Sequence, residues 1–219
     1  QKFIVYFQSF TNTYAPFSTL KALYEKALSF DNVIGLSIGT RTDCVTDEIL
    51  DYLVDLSKDK EIWIEFGIQS FFDETLININ RGDTSSNMKY WINRSKEKGL
   101  NVCGHLIYGL PNETQEMMLE TFRQTVELKV DSIKFHPLYV VKNTLLTNEF
   151  KKGRFTPISE ELYIDTVVKS IKILPENISI QRITAGINDS TLLSPDWCRD
   201  KHTQMKNIRL ALEKEGFNY

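Results

Sequence analysis

A chain of 219 residues with 42% hydrophobic and 25% charged residues can enclose a sizeable core as one domain or a compact part of one. A formal charge of −3 provides no global basic surface, so strong non-specific nucleic-acid binding is not expected. No basic leader precedes an apolar run, and no apolar stretch reaches the roughly 18 residues of a membrane span, so a cytoplasmic protein with no membrane contact is expected.

The chain opens on Gln1 and runs at once into K-F-I-V-Y-F, which reads as a buried strand of a longer protein. The later runs V-I-G-L-S-I-G, E-I-W-I-E-F-G-I, N-V-C-G-H-L-I-Y-G and D-S-I-K-F-H-P-L-Y-V are equally apolar and rich in β-branched and aromatic residues. Five parallel strands buried on both faces account for them. Between them, helical periodicity covers Phe17 to Phe30, Thr46 to Ser57, Thr84 to Lys98 and Thr114 to Leu128. Leu20, Leu23, Tyr24, Ala27 and Leu28 form one apolar stripe, and Ile49, Leu50, Leu53 and Leu56 form another. Thr46 or Asp47 caps the second helix, Thr114 opens the fourth after Leu110-Pro111, and Gly99 ends the third. Such βα repeats generate a (β/α) barrel or an open doubly wound sheet, and periodicity does not separate the two.

After Val140 a polar stretch from Lys142 to Gly153 leads to a helix from Ser159 to Leu174 and a strand around Ile178 to Ile183. A loop with Pro195 and Trp197 and a helix from Asp200 to Glu215 follow. With no low-complexity linker, residues 1–219 read as one domain: βα units over 1–140, then a last unit and a C-terminal extension over 141–219. Cys44, Cys103 and Cys198 are too scattered for a disulfide framework or a self-contained zinc or iron–sulfur motif, and read as buried or incidental thiols.

Polar residues gather just after the strands. The first tip holds Gln8 to Tyr14, the second Gly39 to Asp43, and the third Gly67 to Ser70, with Arg81 one short helix beyond. The fourth begins at His105 and continues through Gly109 to Thr114; the fifth holds His136, Tyr139 and Lys142. In a parallel α/β fold these tips converge on one face and line a common pocket. Each has a plainer reading: Gln69 and Ser70 as helix caps, Arg81 as a helix-end cation, Thr11 to Thr13 as a turn, and both histidines as core residues. No phosphate-binding P-loop, G-x-G-x-x-G, G-x-S-x-G or H-E-x-x-H pattern is present, so kinase and hydrolase readings have little support. Glu65 lies within a strand and Asp43 adjoins Arg41, so spacing alone gives neither a catalytic role.

Three segments resemble the radical S-adenosylmethionine (SAM) enzymes, especially a bacterial subfamily related to the Elongator catalytic subunit. They are Tyr6 to Pro16 (Y-F-Q-S-F-T-N-T-Y-A-P), Gly35 to Cys44 (G-L-S-I-G-T-R-T-D-C) and His105 to Thr114 (H-L-I-Y-G-L-P-N-E-T), joined by P-D-W-C at Pro195 to Cys198. The resemblance implies a partial (β/α)6 TIM-like barrel of parallel strands with a C-terminal helical extension, its first βα unit missing, and with SAM across the strand tips. Gln8, Thr11, Asn12 and Thr13 then fall where the methionine amino group is held, Gln69 on the ribose and Arg81 on the carboxylate. His105 falls at a ribose contact, and the segment from His136 to Val140, Leu138 included, flanks adenine. Gly39 stands where relatives often carry Glu, which shifts the second tip's contact to Thr40 or Arg41. The family's C-x-x-x-C-x-x-C motif, whose thiolates hold a [4Fe–4S] cluster, is not in this sequence and is expected upstream of Gln1. The chain as given is therefore expected to be inactive. The full-length protein is expected to take electrons from flavodoxin or ferredoxin and cleave SAM reductively to a 5′-deoxyadenosyl radical that acts on RNA or a small metabolite. Two alternatives stay open: a non-catalytic barrel that only binds a ligand, and another barrel enzyme using His105 and His136 as acid–base groups.

Overall fold

The apolar runs alternate more strictly than their composition suggests, and this alternation creates two different sheet faces. In the computed structural model, which describes residues 1–217, the strands are β1 (Phe3–Phe7), β2 (Val33–Thr40), β3 (Glu61–Gln69), β4 (Asn101–Tyr108), β5 (Ser132–Pro137), β6 (Val140–Val141), β7 (Ser179–Arg182) and β8 (Leu192–Ser194). Six of them pair in parallel in the order β1-β2-β3-β4-β5-β7 and curl into a half-barrel, while β6 and β8 form a small antiparallel ribbon. Leu36, Ile38, Ile62, Ile64, Phe66, Ile68, Val102, Leu106, Ile133 and Phe135 are buried in the core. Burial of each such side chain stabilises by about 1.5–3 kcal/mol relative to exposure. The intervening positions carry Ser37, Gly39, Glu65, Gly67, Cys103, His105, Lys134 and His136, which belong to the opposite, concave face.

The helices are α1 (Phe17–Leu28), α2 (Asp47–Ser57), α3 (Asp73–Asn78), α4 (Ser85–Glu97), α5 (Gln115–Glu127), α6 (Leu145–Lys151), α7 (Glu160–Lys172) and α8 (Lys201–Lys214). Thr46, Thr84, Thr114, Thr144 and Ser159 each accept a backbone N–H three residues on, and Asp200 accepts from His202 and Thr203. These bonds satisfy donors that a helix start leaves free. The α2 stripe of Ile49, Leu50 and Leu53 is buried as its periodicity predicts. At the C-terminal side, buried Gln204 of α8 accepts from the Thr184 hydroxyl at 2.5 Å and donates to the Trp197 carbonyl at 2.9 Å, tying α8 to the segment after β7.

Two local expectations change. β1 pairs only with β2, so Phe3 and Ile4 stay 48% and 42% exposed instead of buried on both faces. The polar stretch at 142–153 contains α6, whose weak apolar pattern hides a helix started by the Thr144 cap.

Candidate cofactor site at the strand tips

A bulge in β3 shapes the site. Gly67 pairs with His105 and Gln69 with Leu106, leaving Ile68 as the extra residue, and Gln69 takes a left-handed φ of 68°. A bulge re-aims the side chains around it, and a non-glycine residue at positive φ costs about 1–3 kcal/mol that the surroundings must sustain. The gain is a folded-back Gln69 whose Nε2 lies 2.8 Å from where a Cβ on Gly67 would sit, with Arg81 Nη2 at 3.4 Å from the same point. Gly67 is thus a shelf on which an amide and a guanidinium lie side by side.

Arg81 reaches that shelf because α3 is short and its end folds back, with Arg81 N–H donating to the Leu76 carbonyl at 2.8 Å. Nη2 donates to the Gly67 carbonyl at 2.6 Å, while Nε is buried with no hydrogen-bond partner among the described residues. The nearby acids are already engaged. Asp43 is gripped by the Arg41 fork at 2.8 and 2.6 Å, and Asp83 accepts from Thr42, the Thr84 N–H and Asn87. Burial, with the neighbouring Arg41 charge, pulls the Arg81 guanidinium below its ordinary value, yet it stays charged. A half-buried guanidinium with no carboxylate bonded to it suits an anion from outside the chain.

These groups line a cavity of about 370 Å³ at the C-terminal ends of the strands. Gln8, Thr11, Thr40, Arg41, Gln69, Arg81, His105 and His136 all border it, although His105 stands within β4 and Gly109 to Thr114, the rest of the fourth tip, do not reach it. Asn12, Thr13 and Leu138 do not. The Asn12 amide donates to the carbonyls of Phe7 and Gly39 at 2.9 and 2.8 Å, and buried Thr13 hydrogen-bonds to the Thr40 hydroxyl at 2.5 Å and the Cys44 carbonyl at 2.7 Å. Both side chains fasten the first loop to the second. Leu138 contributes a backbone bond to Tyr108. Arg41 borders the cavity with its fork committed to Asp43, and its Nη2 also donates to the Arg81 carbonyl at 2.8 Å, so it braces Arg81. At Gly39 a Cβ would stand 3.1 Å from the Phe7 carbonyl, so the close approach of β1 and β2 there favours glycine.

Below the rim, four other strands supply hydrogen bonds to one carboxylate. Glu65 accepts from Tyr6 at 3.0 Å, His105 Nε2 at 2.6 Å, Lys134 at 2.5 Å and Ser37. Burial would push its carboxyl up, but the bonds from His105, Lys134 and Ser37 override it and hold the value at about 2. Lys134 is the charge partner, with its ammonium 4.4 Å from the Tyr6 ring centre. Burial lowers His105, so the neutral ring donates through Nε2 and leaves Nδ1 as an acceptor. His136 is likewise pushed down by burial, to about 4, and its Nδ1–H donates to the Pro137 carbonyl at 2.7 Å, leaving Nε2 as an acceptor. Tyr6, Ser37, Lys134 and Arg182 had no functional reading from sequence. The missed signal is their shared strand phase with Glu65 and His105.

Glu65, Cys103 and His105 are the one group of three potential metal ligands found close together among the described residues. Glu65's oxygens are already taken by four donors, and burial raises the Cys103 thiol to about 12, so these residues do not fit a metal ion. Cys44 and Cys198 lie on separate turns outside that group, so the described cysteines do not fit a [4Fe–4S] cluster either. SAM itself fits better: its carboxylate matches the Arg81 guanidinium, which no carboxylate of the described residues holds, and its ribose hydroxyls match the amide on the Gly67 shelf.

Comparison with known proteins shows the family. The "Radical SAM superfamily" family model matches residues 2–125, and the "Radical_SAM C-terminal domain" matches 130–214. YhcC of Escherichia coli strain K12 is 38% identical over 218 residues, covering 99% of this chain and 70% of YhcC. YtqA of Bacillus subtilis strain 168 is 35% identical over 215 residues, covering 98% of this chain and 67% of YtqA. The structure of the archaeal Methanocaldococcus infernus Elp3 superposes with a TM-score of 0.77 at 24% identity, covering 91% of this chain and 46% of that one. The chain belongs to the radical SAM superfamily, a group of enzymes whose members bind SAM and a [4Fe–4S] cluster. Among the described residues no helix is long and apolar enough to cross a membrane.

Proposed function

We propose that the strand-tip cavity binds S-adenosylmethionine and that this chain is the core of a radical SAM enzyme. The observation that carries the reading is the half-buried Arg81 guanidinium, unpartnered at Nε and lying beside Gln69 on the Gly67 shelf. Arg81 would take the methionine carboxylate, Gln69 the ribose diol, and Gln8 and Thr11 the amino group. His105 would accept from the ribose through Nδ1, and His136 would present Nε2 toward the base. Thr40 and Arg41 support this set from the second tip, through Thr13 and Arg81 respectively. When bound together with a reduced cluster, the cofactor supplies a 5′-deoxyadenosyl radical; the chain's own part is to orient it and keep water out.

The cluster thiolates are assigned to a C-x-x-x-C-x-x-C segment upstream of Gln1, with flavodoxin or ferredoxin as the electron donor and RNA or a small metabolite as the substrate class. The cofactor reading is preferred to an acid–base role for His105 and His136 because it alone uses the adjoining Arg81 and Gln69 on the Gly67 shelf. The test is anaerobic reconstitution of the full-length protein followed by an assay for 5′-deoxyadenosine after reduction. Product formation supports the reading; a formed cluster without product rejects it.

A further inference from the structure

The cavity carries a third guanidinium, beside Arg41 and Arg81, that the SAM reading leaves unused. Arg182, at the end of β7, is half-buried and makes one long hydrogen bond, from Nε to the Phe135 carbonyl at 3.4 Å. It forms no ion pair among the described residues, although Lys134 beside it in register is paired with Glu65. Arg182 also borders a separate groove of about 320 Å³ between β7 and α8, and no other residue lines both spaces. The groove has an apolar floor that includes Ile208 and Leu212, and it carries Lys201 and Arg209 as further cations. No Asp or Glu lines it, and neither Lys201 nor Arg209 is in an ion pair among the described residues.

Three cations around an apolar floor, with no acid to balance them, select for an anion with an apolar body. A guanidinium fork matches the paired oxygens of a phosphate or carboxylate better than it matches a hydroxyl. We infer that Arg182 anchors an oxyanion-bearing substrate, with its apolar part in the β7–α8 groove and its reacting part directed into the cavity. The anchor is a positioning contact, on the side of the cavity away from the Gly67 shelf. The substrate assignment rests on the cofactor reading above, but the binding test does not.

Phenyl phosphate, benzoate and benzyl alcohol serve as probes, titrated into the full-length protein without SAM and followed by chemical shifts. Phenyl phosphate or benzoate should bind, with the tighter of the two naming the oxyanion, and benzyl alcohol should bind at least about tenfold more weakly. Arg182→Gln should weaken the preferred probe by about tenfold, and Arg209→Gln, altered at an exposed position, by about threefold. Binding of S-adenosylhomocysteine should be unchanged in both variants, a result that a general loss of structure would not give. The inference is overturned if Arg182→Gln binds the probes like wild type, if benzyl alcohol binds as well as the oxyanions, or if no probe binds. Failure of S-adenosylhomocysteine to bind wild type while the probes behave as expected would count against the cofactor reading alone.

Discussion

Replacing Glu65 by Gln tests the interior network on which the site rests. The carboxylate is 1% exposed and accepts from Tyr6, Ser37, His105 and Lys134. An amide cannot satisfy this set of donors, and it leaves the 8%-exposed Lys134 without a counter-charge. Removing one member of a buried pair costs about 3–5 kcal/mol. The folded-state carboxyl, held at about 2 against an ordinary 4.5, gives an independent figure of about 3 kcal/mol. Because its value is depressed on folding, this stability is present above pH 4.5 and is lost as pH falls from 4.5 toward 2. Urea unfolding across pH should therefore show wild type losing about 3 kcal/mol more than Glu65→Gln over that window. Glu65→Gln should be weaker at pH 7 by a similar amount, with that acid limb flattened. Glu65→Gln with Lys134→Met should recover part of the loss, since no buried charge is then stranded. A single variant within about 1 kcal/mol of wild type, with the acid limb intact, would refute the account of the network.

Gly67→Ala should separate binding from stability. Its new Cβ meets the mobile end of Gln69 and the tip of Arg81, so urea unfolding should change by less than about 1 kcal/mol while S-adenosylhomocysteine binding weakens several-fold by calorimetry. Gln69→Gly relieves the left-handed backbone and should raise stability, or leave it unchanged, while lowering cofactor affinity; a stabilised variant with full affinity would remove Gln69 from the site.

The sheet and its crossover helices were legible because β-branched runs and threonine caps act locally, so the capping threonines mark helix starts within a residue. The convergence of Gln8, Gln69, Arg81, His105 and His136 was legible for a topological reason, since parallel strands bring their ends to one face. What the sequence concealed depends on pairing between strands. Lys134 looks like a lone charge in an apolar run until register places it beside His105 and within reach of Glu65. Arg182 is ambiguous in the same way. Asn12 and Thr13 sit in a polar tip yet are used up in holding that tip, which composition does not reveal. The Gly67 shelf depends on a bulge, and a one-residue insertion in a strand leaves no periodic trace.

The central claim is that Arg81 waits for the carboxylate of S-adenosylmethionine, and calorimetric titration of SAM into the reconstituted full-length protein, wild type against Arg81→Ala, tests it most directly. The account predicts saturable binding to wild type and an affinity at least about tenfold weaker in Arg81→Ala. It also predicts unfolding stability lowered by no more than about 1–2 kcal/mol, the cost of the hydrogen bond that Arg81 gives to the Gly67 carbonyl. Equal SAM affinity in the two proteins would contradict it.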